Sequence, residues 1–222
     1  MIENSLAAIV PHSVSLEELS GNDEHAGLRD LYDVEAALLA RAVPSRRRDF
    51  ADGRQCARRA LARLGIRPGP IGRDPQGAPI WPDGIVGSIT HCRGYCAAAV
   101  APRGIVCGIG IDAEPVESAV DEIGPLIMRP EEIARVEWLA HAEPSVPWPL
   151  LHFSAKEAIY KYWYPRTGLW LDFDAVSIRF VLEDSSFSVV ASDGVSPSLS
   201  AQLRLASGRF AVSSTHVHTV FT

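Results

Sequence analysis

The sequence predicts an α+β fold, on three observations. Two stretches repeat apolar residues at helical spacing, SRRRDFADGRQCARRALARLG (residues 45–65) and FSAKEAIYKYWYP (residues 153–165). Many short runs are instead apolar throughout or alternate with period two, as strands do. These strands follow one another through short turns and do not alternate strictly with helices. Hairpins with separate helices are therefore expected, not a parallel βαβ sheet. A chain of 222 residues suits one domain or two lobes of about a hundred residues each. The expected lobes are residues 1–105 and 106–222.

In chain order, residues 1–27 are mixed and poorly periodic, and LRDLYDVEAALLARA (28–42) has a helical pattern. Pro44 and Ser45 then punctuate. The helix over 45–65 takes Ser45 as N-cap and Gly65 as its stop, with Phe50, Ala57, Leu61 and Leu64 as its core stripe. Residues 68–84 form a Gly/Pro-rich loop. IVGSIT, YCAAAVA and GIVCGIGID read as buried strands. Residues 115–149 are irregular apart from a helix around 130–141. In the helix over 153–165, Ala155, Ala158, Ile159, Tyr162 and Trp163 share one face. Lys156, Glu157 and Lys161 fall on its polar side, and Ser154 with Glu157 fits a capping box. Strands follow at 176–182, SFSVVAS, QLRLAS and RFAVSST.

Composition narrows the function classes. The chain is 47% hydrophobic and 22% charged, an ordinary globular balance. Its net charge of −6 argues against a broad nucleic-acid surface and leaves room for a local basic site. No apolar run approaches a membrane span, and the start MIENSLAAIVPHS lacks the pattern of a signal peptide. The four cysteines, Cys56, Cys92, Cys96 and Cys107, form no dense framework. A reduced, cytoplasmic, soluble protein is expected.

Four stretches carry candidate chemistry. In IVCGIGIDAEP, period-two geometry puts Asp112 and Glu114 on one face of a strand. Two adjacent carboxylates repel, which an exposed strand end tolerates. The functional reading is a hard divalent cation, held by Asp112, Glu114 and, if it faces the same space, Glu157. In GSITHC, Ser88, Thr90 and His91 end an apolar strand. Thr90 and His91 are donors suited to phosphate oxygens, while a lone histidine there also reads as a structural residue. Cys92 and Cys96 with His91 lack the second ligand pair of a zinc site. Arg46, Arg47 and Arg48 crowd a helix start, where the dipole disfavours cations, and Arg54, Arg58 and Arg59 follow. They read as a solvated face or as the seat of an anion, for which Arg is suited. Arg73 lies in the loop GRDPQGAPIWP. The helix at 153–165, taken alone, also reads as a surface helix with no chemistry. No Walker A, G-x-G-x-x-G or G-x-S-x-G motif is present. An acidic triad, a basic anion site and a Glu/Lys helix together suit Mg²⁺-dependent chemistry on a small molecule containing a pyrophosphate.

RRRDFADGRQCARRAL, GRDPQGAPIWP, GSITHC, GIDAEP and FSAKEAIYKYW occur in this order. With them the chain resembles the Sfp/EntD-type 4′-phosphopantetheinyl transferases, particularly actinobacterial members. The resemblance covers most of the chain; Phe153 stands where the family commonly has Trp. It implies two similar α+β lobes in a pseudo-two-fold arrangement, with coenzyme A (CoA) in the cleft between them. It also implies transfer of the phosphopantetheine arm of CoA to a serine of apo acyl, peptidyl or aryl carrier proteins, releasing adenosine 3′,5′-bisphosphate. By motif position, Asp112, Glu114 and Glu157 hold Mg²⁺, with Mn²⁺ as a substitute. Arg46 and Arg54 bind around the 3′-phosphoadenosine end, and Arg73 makes a phosphate contact where Lys is common. Gln76 and Gly77 line the nucleotide pocket. Thr90 and His91 contact phosphates, Lys156 and Lys161 contact the pyrophosphate region, and Trp170 lies along the pantetheine path. Glu157, directly or through a water, is the implied general base, with Lys161 at the leaving phosphate. A monomer is implied. Two other readings stay open on the residues alone: a Mg²⁺-dependent pyrophosphohydrolase of CoA or nucleotides, and a non-catalytic CoA-binding module.

Overall fold

The computed structural model describes residues 4–21, 31–118, 124–192 and 195–222. They divide into two compact units, residues 11–109 and residues 1–10 with 110–222. The first short helix, α1 (Leu6–Ile9), belongs to the second unit. Among the described residues, no helix is long and apolar enough to cross a membrane.

In residues 11–109, β1 (Ser15–Ser20), β2 (Ile85–Cys92) and β3 (Tyr95–Pro102) form an antiparallel sheet in the order β1-β3-β2. The β2–β3 hairpin turns through Gly94, whose φ of 79° is the left-handed conformation such a tight turn needs. Between β1 and β2 come α2 (Asp33–Ala37) and the long α3 (Pro44–Arg63). Cys56, Ala57, Ala60 and Leu61 of α3 pack with Ile85, Cys96, Ala98 and Val100 of the sheet. The small residues allow close approach: a Cβ at Gly53 would meet Ile89 Cγ2 at 2.9 Å.

The second unit is a five-stranded antiparallel sheet in the order β4-β8-β7-β6-β5. Its strands are β4 (Gly110–Pro115), β5 (Val176–Val181), β6 (Ser186–Ala191), β7 (Gly208–Val212) and β8 (His216–Phe221). The helices are α4 (Gly124–Ile127), α5 (Pro130–Ala142), α6 (Trp148–Thr167) and α7 (Pro197–Arg204). The alternating strand faces converge on α6, whose Leu151, Ala155, Ala158, Ile159 and Trp163 are buried. Phe180 is an aromatic hub, with ring centroids 5.6 Å from Trp148, 4.8 Å from His152 and 5.2 Å from Phe210. α6 ends where Gly168 adopts φ 66° and its N–H closes on Tyr164 O.

The α+β class holds, and local details differ. The helix expected over 28–42 is confined to Asp33–Ala37, with 28–30 outside the described residues. Ser45 is not the cap of α3: Val43 takes that position and Pro44 starts the helix, its fixed φ being suited to the first turn. Ser154 does not cap either, because α6 begins earlier, at Trp148, and Ser154 is buried within it. GIVCGIGID becomes a strand only from Gly110, where pairing with β8 starts. QLRLAS is not a strand; Pro197 opens α7, which runs through Gln202 to Arg204. β1 and β8, in SLEELS and HVHTVF, were not anticipated.

Candidate active site

β4 and α6 build an acidic site. Asp112 and Glu114 alternate with Ala113, so both carboxylates take one face of β4. That face meets α6. Thr219, opposite Asp112 in the β4–β8 register, donates to Ser154 O at 3.0 Å, and the two hydroxyls lie 2.9 Å apart. Ser154, Glu157, Ala158 and Lys161 recur at three- and four-residue steps and form one stripe of the helix. At its far end Lys161 Nζ donates to Asp112 Oδ1 at 2.7 Å. Asp112 is only 3% exposed, so the exposed-strand-end reading fails for it. The close fit requires Gly110: a Cβ there would overlap the Ala158 carbonyl and the Tyr162 amide.

The charges in this set act on one another. Burial, then repulsion from Asp112, pushes the Glu114 carboxyl up to about 7, with Lys161 opposing and Glu157 adding. Burial also raises Glu157, which Lys161 opposes and Asp112 reinforces. Burial works against the Lys161 ammonium, yet Asp112, Glu157 and Glu114 outweigh it and raise its pKa. The Lys161 ammonium thus bonds Asp112 and feels the charges of Glu157 and Glu114. Hard carboxylate oxygens under mutual repulsion have the chemistry of a Mg²⁺ site. In their present positions, among the described residues, no group of three or more His, Cys, Asp or Glu is arranged to hold a metal ion. Lys161 is the cation bonded to Asp112.

Residues 11–109 hold a set of basic groups of their own. Arg46 Nη1 donates to His91 Nε2 at 2.7 Å, which leaves Nδ1 to carry the ring proton of a neutral imidazole. Arg54 lies over the Phe50 ring at 4.1 Å and donates to the carbonyls of Ile71 (2.7 Å) and Gly72 (3.0 Å). Burial, with Arg58, Arg73 and Arg46 nearby, lowers its pKa to about 10 although Glu35 opposes. Four arginines therefore share one field. Such a concentration of positive charge suits an anion. Arg73 is exposed and donates to Leu38 O at 3.3 Å. It stands beside a turn in which Asp74 Oδ1 accepts from the Gln76 and Ala78 amides and Gly77 takes φ 98°.

The remaining expected site residues differ in their surroundings. Thr90 and His91 are neighbours on β2 and so point to opposite faces. His91 reaches Arg46, whereas Thr90 is 2% exposed. Trp170 is 70% exposed, donates to Asp172 Oδ1 at 2.5 Å and packs edge-on against Tyr160 at 5.0 Å. Lys156 departs most. It is not on the polar side of α6 but 3% exposed, with its ammonium bonded to Glu132, Ile127 O and Phe173 O, each at 2.7 Å. All three donors of the ammonium are engaged within the protein. Glu132 and Glu35 were not anticipated, because a buried carboxylate leaves no mark in a period-3.6 pattern.

Residues 34–101 match the 4′-phosphopantetheinyl transferase N-terminal domain, and residues 108–213 match the 4′-phosphopantetheinyl transferase superfamily. The chain is 44% identical to the 4′-phosphopantetheinyl transferase Svp of Streptomyces mobaraensis, over 82% of this chain and 74% of that one. It is 43% identical to Npt of Nocardia iowensis, over 82% and 79% of the two chains. With PptT of Mycobacterium tuberculosis the identity is 39%, over 82% and 80%. The chain belongs to the 4′-phosphopantetheinyl transferase superfamily, in its Sfp/EntD-type branch, and is an enzyme of that kind.

Proposed function

We propose that this protein transfers the 4′-phosphopantetheine arm of CoA to a serine hydroxyl of apo acyl, peptidyl or aryl carrier proteins. Adenosine 3′,5′-bisphosphate is the second product. The products are holo carriers for fatty-acid, polyketide, nonribosomal-peptide or siderophore synthases. The observation that supports the reading is the Lys161–Asp112 bond between α6 and β4, with Glu114 and Glu157 in the same electrostatic field. The enzyme works as a cytoplasmic monomer.

The residues fit a Mg²⁺ ion by donor type, and Asp112, Glu114 and Glu157 are its proposed ligands. When bound, the ion supplies charge neutralisation on the pyrophosphate. Arg46, His91 and Arg73 bind the phosphates at the nucleotide end, while Arg54 shapes the loop that carries Gln76 and Gly77. Glu157 takes the serine proton, directly or through a water; bound Mg²⁺ would lower the pKa of its carboxylate, which favours the route through a water. The serine oxygen forms its bond to the phosphorus bearing pantetheine as the bond to the bridging oxygen breaks. Lys161 stabilises the negative charge that develops on the departing phosphate. Trp170 and its partner Tyr160 offer an apolar rim for the pantetheine arm or the carrier. A second docking candidate, the loop over 115–128, lies partly outside the described residues.

Intact mass spectrometry of an apo carrier incubated with the protein, CoA and Mg²⁺ tests this. The expected gain is the mass of one phosphopantetheine arm, lost with EDTA and with Asp112→Ala. CoA consumed without carrier gain would identify a pyrophosphohydrolase instead, and CoA bound but unchanged would identify a binding module.

A further inference from the structure

We infer that Lys156, the first lysine of the KE-x-x-x-K helix, is a positioning residue that locks α6 through Glu132 and makes no contact with CoA. Residues 11–109 carry the same device in Glu35 and Arg58.

The two arrangements correspond group for group. Glu35 and Glu132 are each the third residue of their helix, α2 and α5. Each accepts the backbone N–H just before that helix, from Tyr32 at 3.0 Å and from Arg129 at 2.7 Å. Each binds a cation of the following long helix. Arg58 of α3 reaches Glu35 at 2.9 and 3.0 Å, and Lys156 of α6 reaches Glu132 at 2.7 Å. Each also accepts an isoleucine N–H from the chain beyond that helix, Ile71 or Ile178, both at 2.8 Å. Both carboxylates are buried. A buried carboxylate satisfied by one cation and two amides joins three chain segments, and it is costly to disturb on one side only.

The consequence for catalysis is one of rotation. Five residues at about 100° each put Lys161 roughly 140° around the helix from Lys156, whereas Glu157 and Lys161 are only about 40° apart. With Lys156 held by Glu132 and by the carbonyls of Ile127 and Phe173, the Glu157–Lys161 side turns to β4. Arg58 lies in an arginine-rich stretch yet serves the scaffold, and Lys156 does likewise inside a functional motif.

A double-mutant cycle on Lys156→Met and Glu132→Gln tests this, with melting temperature, kcat and KM for CoA measured on each variant. The kinetic half rests on the transferase reading. Lys156→Met leaves Glu132 buried without its cation and should lower the melting temperature by about 10 °C. The double variant should recover at least half of that loss, with KM for CoA within twofold of wild type and the deficit confined to kcat. If Lys156→Met is insoluble, a soluble double variant supports the pair and an insoluble one overturns it. Melting unchanged in Lys156→Met, or KM for CoA raised tenfold in both variants, would overturn the inference. Should wild type transfer nothing, the transferase reading fails, and the melting cycle still decides, since additive losses would exclude coupling.

Discussion

Lys161 is the residue on which the acidic site turns. Its bond to Asp112 joins α6 to β4, and its charge offsets three carboxylates. Lys161→Ala should lower transfer about a hundredfold, as loss of one transition-state electrostatic contact does, and should also lower the melting temperature because buried Asp112 loses its bond to the ammonium. Lys161→Arg should keep most of the stability and recover only part of the rate. That Asp112 and Glu114 share one side of β4, and Glu157 and Lys161 one side of α6, was legible in the sequence, since period two on a strand and period 3.6 on a helix fix which side chains can share a face. Lys156 was misread for a definite reason. A lysine is placed on the polar side by default, and nothing local reveals Glu132, which lies in another helix.

At the scale of elements, α6 fixes the site by what it buries. His152 is buried edge-on to Phe180, and its Nδ1–H donates to Trp148 O at 2.9 Å. Burial lowers its pKa from 6.5 to about 4, although Trp148 O and Glu132 oppose. The fold therefore holds the neutral ring. No stability is lost above pH 6.5; between 6.5 and 4 the unfolded chain takes up a proton that the folded chain refuses, and stability falls. The loss at pH 5 from this group is about 2 kcal/mol. Glu114, raised to about 7, gains stability over the same interval, so the test is comparative: the change in urea midpoint from pH 7 to pH 5 should shift toward greater stability at pH 5 in His152→Gln relative to wild type. Gly110 is the second element-scale constraint. Gly110→Ala would force β4 off the Ala158–Tyr162 backbone and should yield little folded protein, or a melting temperature lower by 5 °C or more. The helices α3, α5 and α6 were readable from periodicity and Gly/Pro punctuation. β8 was not, because HVHTVF gains its strand identity from pairing with β4 and β7, a long-range fact.

At the scale of the whole molecule, the second unit joins α1 to elements more than a hundred residues further along the chain. Leu6 and Ile9 of α1 are buried in a unit otherwise made of residues 110–222, where β8 pairs with β4 and β7. Sequence periodicity could not show this, since a four-residue helix presents no repeat. Leu6→Ala should cost about 2–5 kcal/mol, as truncation of a buried leucine does, and the measurement is the denaturant midpoint. The α+β class itself was legible from the mix of helical and strand-like periods, and the five motifs in order carried the family. What periodicity leaves out is the network of buried charges, Glu35–Arg58 and Glu132–Lys156, which exists only once distant segments meet.

The central claim is that Glu157 takes the serine proton while its neighbours hold the pyrophosphate. Single-turnover transfer to one apo carrier, at saturating CoA and Mg²⁺, should be compared for wild type and Glu157→Gln. The account predicts a rate lower by about a hundredfold or more, with the variant as stable as wild type. Near-normal turnover by Glu157→Gln would contradict it.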